Sequence, residues 1–405
     1  MNRPVFLILF LICFQSFGQE SGKEYQLLWE VKATKGSKKT SYIFGSMHSN
    51  DPRLFHFPDS LYTAFTKVEA VVLETDVTQI YDEYDVRLNL FNFDLFDKKR
   101  SFASSKKATQ TVYGSEDGRP QFLDAYFQQT GYCGGKLFYQ LETVQDQLKL
   151  AENPELFNTR TAINGLFFTK EAFIQTYLNG DIASLTNMLK AQFKSSPEAY
   201  DELITKRNQT MAKGLDTLMR KKSVFCAIGS GHLYGSDGVL QLLRQKGFQV
   251  RAVKASYDNT TTAEKKLMLS WRNYSITDEE NSFRMTFGGK PIQLEDANKK
   301  HYIYQELGQG NTFELIIHES ADYLDDNRYH FVENELAKTK ESTLDAGAQM
   351  IEGLVFDPIK GYQWKRFIQF GEVCYELICY GGNKFMHSDR SGKFFQKFEI
   401  LTEKE

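Results

Sequence analysis

Proline is scarce in this chain, with 8 among 405 residues, and no Pro-rich or Gly/Ser-rich linker appears. An excess of one charge is also missing, because 49 basic residues stand against 52 acidic ones and the formal net charge is −3. No cluster of basic residues stands out in the sequence, so its charge pattern does not indicate a nucleic-acid partner. With 41% hydrophobic and 25% charged residues it has the composition of a globular protein, and its length suggests two or three domains.

Long apolar runs are absent except at the N-terminus. Val5 to Phe14 is unbroken and apolar and follows Arg3, but it is shorter than the roughly 20 residues that a bilayer crossing needs. The small residue Gly18 comes soon after it. This pattern predicts a secretory signal peptide over residues 1–18, with Gln19 as the new N-terminus. We therefore expect an exported protein, periplasmic or secreted, whose mature chain has no transmembrane segment.

Cysteine is sparse, and removal of the signal peptide would leave Cys133, Cys226, Cys374 and Cys379. No Cys-X-X-Cys or Cys/His spacing typical of a zinc site occurs. Export permits disulfides without requiring them. Cys374 and Cys379 share the strand-like run Val373 to Tyr380, and their odd separation places them on opposite faces of one strand. We therefore do not expect these two residues to form a disulfide with each other.

A strand–helix–strand pattern follows the N-terminal region. Tyr42 to Phe44 is aromatic and β-branched, and Val68 to Thr75 is a continuous apolar run that contains an acid near its end. Such a run is typical of a strand buried on both faces of a sheet. Between them, Asp59 to Lys67 has apolar residues at helical spacing, and Asp59 and Ser60 are candidate caps. This order predicts a parallel sheet.

The same pattern recurs near residue 223. Ser223 to Ile228 is a second buried strand, and Gly229 to His232 follows it. Val239 to Lys246 then has helical spacing, Gly247 is the signal for the helix end, and Phe248 to Val253 predicts another strand.

The rest of the chain divides into a helical middle and a strand-rich end. Helices are predicted at 121–130, 144–152, 168–179, 182–193 and 197–220. After about residue 258 alternating runs predict strands at 302–307, 313–318, 364–369 and 373–380, with one helix at Tyr329 to Glu341. We therefore predict an α/β domain over residues 19–257 and a C-terminal α+β domain over residues 258–405.

Two Gly-X-X-His motifs, Gly45 to His48 and Gly229 to His232, each follow a predicted buried strand. Ligands of open α/β sheets gather at the carboxyl ends of the strands, so both histidines are expected at one crevice. Glu74 ends the strand at the same edge. Two imidazoles and a carboxylate suit a divalent metal such as Mn, Fe, Co or Zn. A single Gly-X-X-His motif after a strand more often has a structural role than a functional one. The presence of two matching motifs is what favours a functional site.

Two more residues are candidates for the site. Glu142 follows the strand-like run Lys136 to Leu141 and opens a predicted helix, and Arg207 precedes Asn208 in a long helical stretch. Taken alone, Glu142 could be an acid that favours a helix start, and Arg207 a surface charge.

Six short segments, in order along the chain, resemble the TraB/GumN superfamily, which includes the Tiki metalloproteases. The resemblance covers about Leu27 to Val253. The matching segments are Tyr42 to His48, Val71 to Asp76, Leu141 to Thr143 with Gln147, Asn179 to Asp181, Arg207-Asn208 and Ala227 to Gly238.

The resemblance implies an α/β fold with a central sheet and helices, related to erythromycin-esterase-like and ChaN-like proteins. It also implies roles for His48, Glu74, Glu142, Arg207 and His232. Analogy with Tiki would mean metal-dependent cleavage of peptide bonds. Analogy with TraB would mean binding or inactivating a peptide signal.

The hypothesis that follows is an exported metal-dependent hydrolase, a peptidase acting on a peptide or protein substrate. His48, His232 and one or both of Glu74 and Glu142 would hold the metal, and the remaining carboxylate would act as general base. Arg207 would anchor a substrate carboxylate or stabilise the oxyanion. Two alternatives stay open: a non-catalytic peptide- or ligand-binding protein with a partner-recognition C-terminal domain, and a metal-free esterase-like hydrolase with a histidine base.

Overall fold

The computed structural model describes residues 26–34, 39–49, 51–79, 123–146, 168–194, 196–268, 271–296, 299–320, 323–324, 331–332, 338–344, 347–357 and 360–401. The predicted signal peptide and most of the predicted helix 144–152 lie outside these residues. In the described ranges, no helix combines the length and hydropathy needed to cross a membrane.

A six-stranded mixed sheet forms the first half of the fold. Its strands are β1 (Leu28–Ala33), β2 (Thr40–Ser46), β3 (Ala70–Leu73), β4 (Leu137–Gln140), β5 (Val224–Gly229) and β6 (Phe248–Ala252), in the order β4-β3-β5-β2-β1-β6. Neighbouring strands from β4 to β2 are parallel, whereas β1 is antiparallel to both β2 and β6. The predicted α/β class and both predicted strand–helix–strand units are confirmed.

Helices lie between these strands and after the last of them. They are α1 (Asp59–Lys67), α2 (Leu123–Cys133), α3 (Lys170–Leu178), α4 (Ile182–Gln192), α5 (Pro197–Tyr200), α6 (Lys206–Met219), α7 (Val239–Gln245) and α8 (Thr260–Met268). A π-helical turn, Asp201–Thr205, joins α5 to α6. α1 has the predicted bounds, but neither predicted cap residue caps it. Its N-cap is Pro58, and no side chain caps it.

The sheet is buried on both faces because successive side chains along a strand point to opposite sides. Phe44 and Phe225 pack with α1 and α2 on one face, and Ile43 and Cys226 pack with α6 and α7 on the other. The burial of each phenylalanine or isoleucine side chain contributes about 1.5–3 kcal/mol. This explains why β3 and β5 are continuous apolar runs, as predicted.

The second half of the fold contains an antiparallel seven-stranded sheet. Its strands are β9 (Ile292–Asp296), β10 (Lys299–Glu306), β11 (Asn311–Glu319), β12 (Lys340–Thr343), β13 (Gln349–Asp357), β14 (Gly361–Phe370) and β15 (Val373–Tyr380), in the order β12-β13-β14-β15-β11-β10-β9. Beside it lie a three-stranded sheet and two short helices, namely β7 (Tyr274–Asp278), β8 (Phe283–Phe287), β16 (Phe398–Ile400), α9 (Asn383–Met386) and α10 (Arg390–Phe395).

Two predictions for this region have different outcomes. Cys374 and Cys379 do lie on opposite faces of β15, and all four described cysteines are buried and free. The predicted helix Tyr329 to Glu341 is wrong where it is described, because Phe331 forms a β-bridge with Val355 and Glu341 lies in β12. Pairing with β13 outweighs the helical spacing there; the remainder of this segment lies outside the described residues.

Helix α2 joins the two halves. The Gln129 side chain donates a hydrogen bond to the Tyr304 hydroxyl at 2.9 Å and accepts one from the Leu307 amide at 2.8 Å. Leu307 is fully buried in the cluster that covers one face of the six-stranded sheet. The two sheets therefore share part of one core.

Candidate active site

Three strands of the first sheet end at the same edge and carry three of the predicted site residues. β5 lies between β3 and β2, with Leu73 opposite Ala227 and Ser46 opposite Gly229. His48 comes two residues after β2, Glu74 directly after β3, and His232 in the 3-10 turn after β5. The parallel pairing thus brings both Gly-X-X-His motifs and Glu74 to one edge, as predicted.

The glycines of the two motifs allow these strand ends to approach closely. A Cβ atom on Gly45 would lie 2.9 Å from Leu233 Cδ1 and 3.1 Å from Ser230 Cβ. A Cβ atom on Gly229 would lie 3.2 Å from an oxygen of Glu74. Both contacts are tighter than ordinary packing allows, so a side chain at either position would displace its neighbours.

Arg207, on helix α6, ties two carboxylates together. Its Nη2 lies 2.7 Å from Glu74 Oε2 and 2.7 Å from Glu142 Oε2, and its Nε lies 2.9 Å from Glu142 Oε1. Its Nη1 lies 3.3 Å from the Leu203 carbonyl and 3.4 Å from His232 Nε2. Every nitrogen of the guanidinium, with five N–H donors in all, therefore faces a protein acceptor. We call Glu74, Glu142, Arg207, Asn208 and His232 the Arg207 cluster.

Asn208 orients the imidazole of His232. The Asn208 amide nitrogen donates to the Asp237 carbonyl at 2.8 Å, which fixes its oxygen toward His232 Nδ1 at 2.7 Å. Because an amide oxygen only accepts, Nδ1 carries the proton and Nε2 presents its lone pair to the cluster. His232 is 6% exposed, so this orientation is held inside the protein.

Burial and the neighbouring groups together set the pKa values of the side chains in the Arg207 cluster. Burial lowers the pKa of His232 to about 4, so its imidazole is neutral at neutral pH. Burial opposes ionisation of Glu74, but His232, Arg207 and His48 together lower the pKa of that carboxyl to about 2. Burial also disfavours the Arg207 charge, yet hydrogen bonds with Glu142 and the charge of Glu74 raise its pKa above the ordinary value. The cluster therefore combines a neutral base, carboxylate and guanidinium.

His48 faces a carboxylate that the sequence analysis did not identify. Its Nε2 lies 3.5 Å from Oδ2 of Asp124, in the first turn of α2. The His48 side chain is 60% exposed, whereas that of Asp124 is 6% exposed. Burial raises the pKa of Asp124 to about 6, and the charge of Glu74 adds to this effect while His48 opposes it. No described residue donates a hydrogen bond to Asp124 Oδ2.

The structure thus brings Glu74, Glu142, Arg207 and His232 into contact, and places His48 in a pair with Asp124. Asp124 was missed because an acid at a helix start ordinarily serves the helix dipole. Its position between buried Leu123 and Ala125 was the available signal.

The four predicted metal ligands, His48, His232, Glu74 and Glu142, do not fit a single metal site as they are arranged. In the part of the chain that the structure describes, no group of three His, Cys, Asp or Glu side chains is placed to hold a metal ion. Both oxygens of Glu142 face Arg207, and those of Glu74 face Arg207 and the Gly229 amide. The donor types suit a divalent metal, but the guanidinium of Arg207 already contacts both carboxylates and offsets one of their two negative charges.

The chain matches the sequence model of one protein family and parts of two known proteins. The sequence model of the TraB/PrgY/gumN family matches residues 27–100 and 80–252. The chain is 30% identical to the metalloprotease TIKI2 of Danio rerio over an alignment of 131 residues that covers 27% of this chain and 24% of that protein. It is 42% identical to the metalloprotease TIKI2 of Xenopus tropicalis over 67 residues, which are 16% of this chain and 12% of that protein. The matched segments therefore span a quarter or less of these relatives.

Proposed function

The chain belongs to the TraB/PrgY/gumN family, and on that premise we propose that it is a hydrolase that cleaves peptide bonds in a peptide or protein substrate. The observation that carries this proposal is the Arg207 cluster at the carboxyl edge of the parallel strands. The similarity to two proteins named metalloproteases supports the reaction class.

His232 and Glu74 are the groups that we assign to the chemical step. The neutral imidazole can accept a proton at Nε2 from an attacking water that takes the place of the long contact with Arg207 Nη1 at 3.4 Å. The carboxylate of Glu74 lies 3.9 Å from that nitrogen and stabilises the imidazolium that results.

Arg207 and Glu142 have a positioning role in this proposal. Because the N–H groups of Arg207 already face protein acceptors, we assign to it the task of holding Glu74 in place rather than that of binding a substrate carboxylate. Glu142, through its two oxygens on Arg207, fixes the guanidinium in turn.

A divalent metal, Mn, Fe, Co or Zn, remains part of the proposal because the two relatives are named metalloproteases. The four ligands predicted from the sequence do not provide a site for it, and the reaction roles above do not depend on it. A metal-free hydrolase is the second candidate, and the contacts of both carboxylates with Arg207 are the observation that favours it.

A cavity that includes Phe44 of β2 has room for an apolar group of a substrate. It measures about 210 Å³ and is lined by Phe44, Phe57 and Tyr177, among others. The Tyr177 hydroxyl donates a hydrogen bond to the Gly45 carbonyl at 2.7 Å, three residues before His48. This position supports a substrate with an aliphatic or aromatic side chain near the bond that is cleaved.

The test is hydrolysis of a pool of quenched fluorescent peptides by the purified protein, before and after treatment with a chelator. We expect cleavage, and we expect its loss in His232→Gln with an unchanged melting temperature. Cleavage that survives the chelator would select the metal-free candidate, and restoration by one ion would select the metal-dependent one. A protein that cleaves no peptide with or without added ions would overturn the proposal in favour of a binding function.

Export to the periplasm or the medium is a further part of the proposal, supported by the apolar run that precedes Gln19. Mass spectrometry of the protein expressed in its own cells tests it. We expect a mature chain that begins at Gln19, and a chain that retains residues 1–18 would contradict export by a cleaved signal.

A further inference from the structure

A cleft between the two halves of the fold is lined by edge strands of three sheets. Among the described strands, β4 lies at an edge of the six-stranded sheet, β7 at an edge of the three-stranded sheet and β9 at an edge of the seven-stranded sheet. The lining includes Phe138 of β4, Ile276 of β7 and Ile292 of β9. The cleft measures about 730 Å³, within the roughly 300–1,000 Å³ that is typical of ligand sites. The proposed reaction does not use it.

The cleft follows the side of β4 that faces away from β3, which we call the outer edge of β4. Successive side chains of a strand point to opposite faces of a sheet. Leu137, Phe138 and Tyr139 nevertheless all line the cleft. The cleft therefore runs along the edge of the sheet and not over one of its faces.

The outer edge of β4 presents backbone groups that an extended chain can bind. The Leu137 amide donates to the Glu69 carbonyl at 3.1 Å, just before β3. Because the backbone groups of a strand alternate in direction, the N–H and C=O groups of Phe138 and Gln140 point away from β3. They are the groups that a further strand would pair with.

The sequence of β4 does not protect this edge. Proteins ordinarily block an exposed edge strand with charged side chains or proline. β4 has the sequence Leu-Phe-Tyr-Gln, with neither, and Leu137 is 45% exposed. Tyr274, on the neighbouring edge strand β7, is also an exposed large apolar side chain. The edge is therefore suited to pairing with another extended segment.

The charge at the cleft selects for an acidic ligand. Lys136 and Lys290 line it, and no carboxylate does among the described lining residues. The Lys136 ammonium donates to the Val68 carbonyl at 2.6 Å, so the protein itself engages it. Lys290 is exposed and can meet a carboxylate of a ligand.

β4 also leads directly to the Arg207 cluster. Two residues after the end of β4, the Glu142 amide donates to the Glu74 carbonyl at 2.8 Å, and the Glu142 carboxylate contacts Arg207. β3 and β4 are parallel. A segment that pairs with the outer edge of β4 therefore extends to the sheet edge where the cluster lies.

We propose that the cleft binds the substrate as an extended peptide segment that carries Asp or Glu and adds a strand to the outer edge of β4. Hydrogen bonds with the backbone of Phe138 and Gln140 hold the segment, and Lys290 pairs with its acidic side chain. The inference rests on the proposed function for calling this peptide the substrate. Binding at β4 can be measured without any cleavage.

The test is retention of a pool of random heptapeptides by the immobilised full mature chain carrying His232→Gln, so that bound peptides are not consumed. Gln140→Pro removes an N–H group of the outer edge, and Gln140→Ala is the matched control that removes only the side chain. We expect Gln140→Pro to retain at least ~5-fold less peptide than Gln140→Ala. Ala252→Pro, at the opposite edge of the same sheet, should retain as much as the chain without it.

A second probe needs no change in β4. The same pool with methylated backbone nitrogens cannot donate hydrogen bonds to β4, so we expect it to be retained at least ~5-fold less. Asp and Glu should be enriched among the retained peptides, and Lys290→Ala should remove that enrichment.

Four results would each overturn the proposal: no retained peptide, equal retention by Gln140→Pro and Gln140→Ala, equal retention of the methylated pool, or no acidic enrichment. A dimer in sedimentation equilibrium that Gln140→Pro dissociates would assign the edge to a second copy of the chain, and would also overturn it.

Cleavage of quenched fluorescent peptides separates this inference from the hydrolase proposal. Retention of peptides by the His232→Gln chain, without cleavage by the unsubstituted chain, contradicts only the hydrolase proposal. Cleavage with the same KM in Gln140→Pro and Gln140→Ala contradicts only the role of β4.

Discussion

Arg207 and Asn208 are neighbours on helix α6, and each holds other side chains of the Arg207 cluster in position. Arg207 holds the carboxylates of Glu74 and Glu142, and Asn208 holds the ring of His232. The Arg-Asn pair could be identified in the sequence, but the sequence could not show which side chains these two residues contact. Contacts of this kind depend on how α6 packs against β3 and β5, which lie far away in the chain.

We predict that Asn208→Ala lowers kcat/KM for peptide cleavage by ~10- to 100-fold, because His232 loses the acceptor that fixes its tautomer. Asn208→Asp retains an acceptor and should recover part of the activity. Gln209→Ala is the control, since Gln209 is the exposed neighbour on the same helix. Equal rates for Asn208→Ala and Gln209→Ala would show that the orientation of His232 does not matter.

We predict that Arg207→Met lowers the free energy of unfolding by about 3–5 kcal/mol at pH 7, because it removes the cation that pairs with two buried carboxylates. Urea unfolding measures this loss. Lys206→Met changes the adjacent side chain, which is 56% exposed, and should cost less than ~1 kcal/mol. A similar small effect for both substitutions would mean that Arg207 is not what stabilises Glu74 and Glu142.

At the scale of elements, the strands that carry the site were predictable because they are buried on both faces. β3 and β5 are continuous apolar runs, and each strand that precedes a histidine has a glycine at or next to its end, Gly45 in β2 and Gly229 in β5. Strands β1, β7, β8, β9, β12, β13 and β16 were not predicted. β8 alternates apolar and polar residues and was overlooked, whereas most of the others are short and are defined by cross-strand pairing. The predicted helix Tyr329 to Glu341 failed for the same reason.

Strand β11 carries a buried acid whose charge should make stability depend on pH. Glu314 is 2% exposed, and its oxygens lie 2.8 Å from His301 Nε2 and 3.2 Å from Lys360 Nζ. Burial opposes ionisation, but His301 and Lys360 lower the pKa of Glu314 from 4.5 to about 2. A lowered pKa in the folded state stabilises the fold above the unfolded value, and this contribution is lost as the pH falls toward 2.

We therefore predict that Glu314→Gln lowers the free energy of unfolding by ~1–3 kcal/mol at pH 7. The difference from the unsubstituted protein should shrink as the pH falls from about 4.5 to about 2. Unfolding by urea across this pH range is the measurement, with Glu319→Gln as the exposed control on the same strand. A difference that stays constant with pH would contradict the assignment of the charge to Glu314.

At the scale of the whole molecule, α2 connects the two sheets through Gln129 and also carries Asp124 at its first turn. The length and composition suggested more than one domain, but no sequence pattern indicated that one helix would contact both halves. Such contacts depend on the relative placement of two sheets and leave no periodic signal in a single chain.

We predict that Gln129→Ala lowers the free energy of unfolding by about 1–3 kcal/mol, because the Leu307 amide loses its acceptor and the Tyr304 hydroxyl its donor. Gln175→Ala, at an exposed position of α3, serves as the control and should change it by less than ~0.5 kcal/mol. No difference between the two variants would mean that the link through Gln129 adds nothing to the stability of the whole chain.

We propose that the Arg207 cluster hydrolyses peptide bonds with His232 as the base. The most direct measurement is mass-spectrometric detection of new peptide ends after a diverse peptide library is incubated with the protein or with His232→Gln. The account predicts cleavage by the unsubstituted protein and a loss of at least ~100-fold in the variant, since a positioned base contributes that much. Equal cleavage by both proteins, or none by the unsubstituted one, would contradict it.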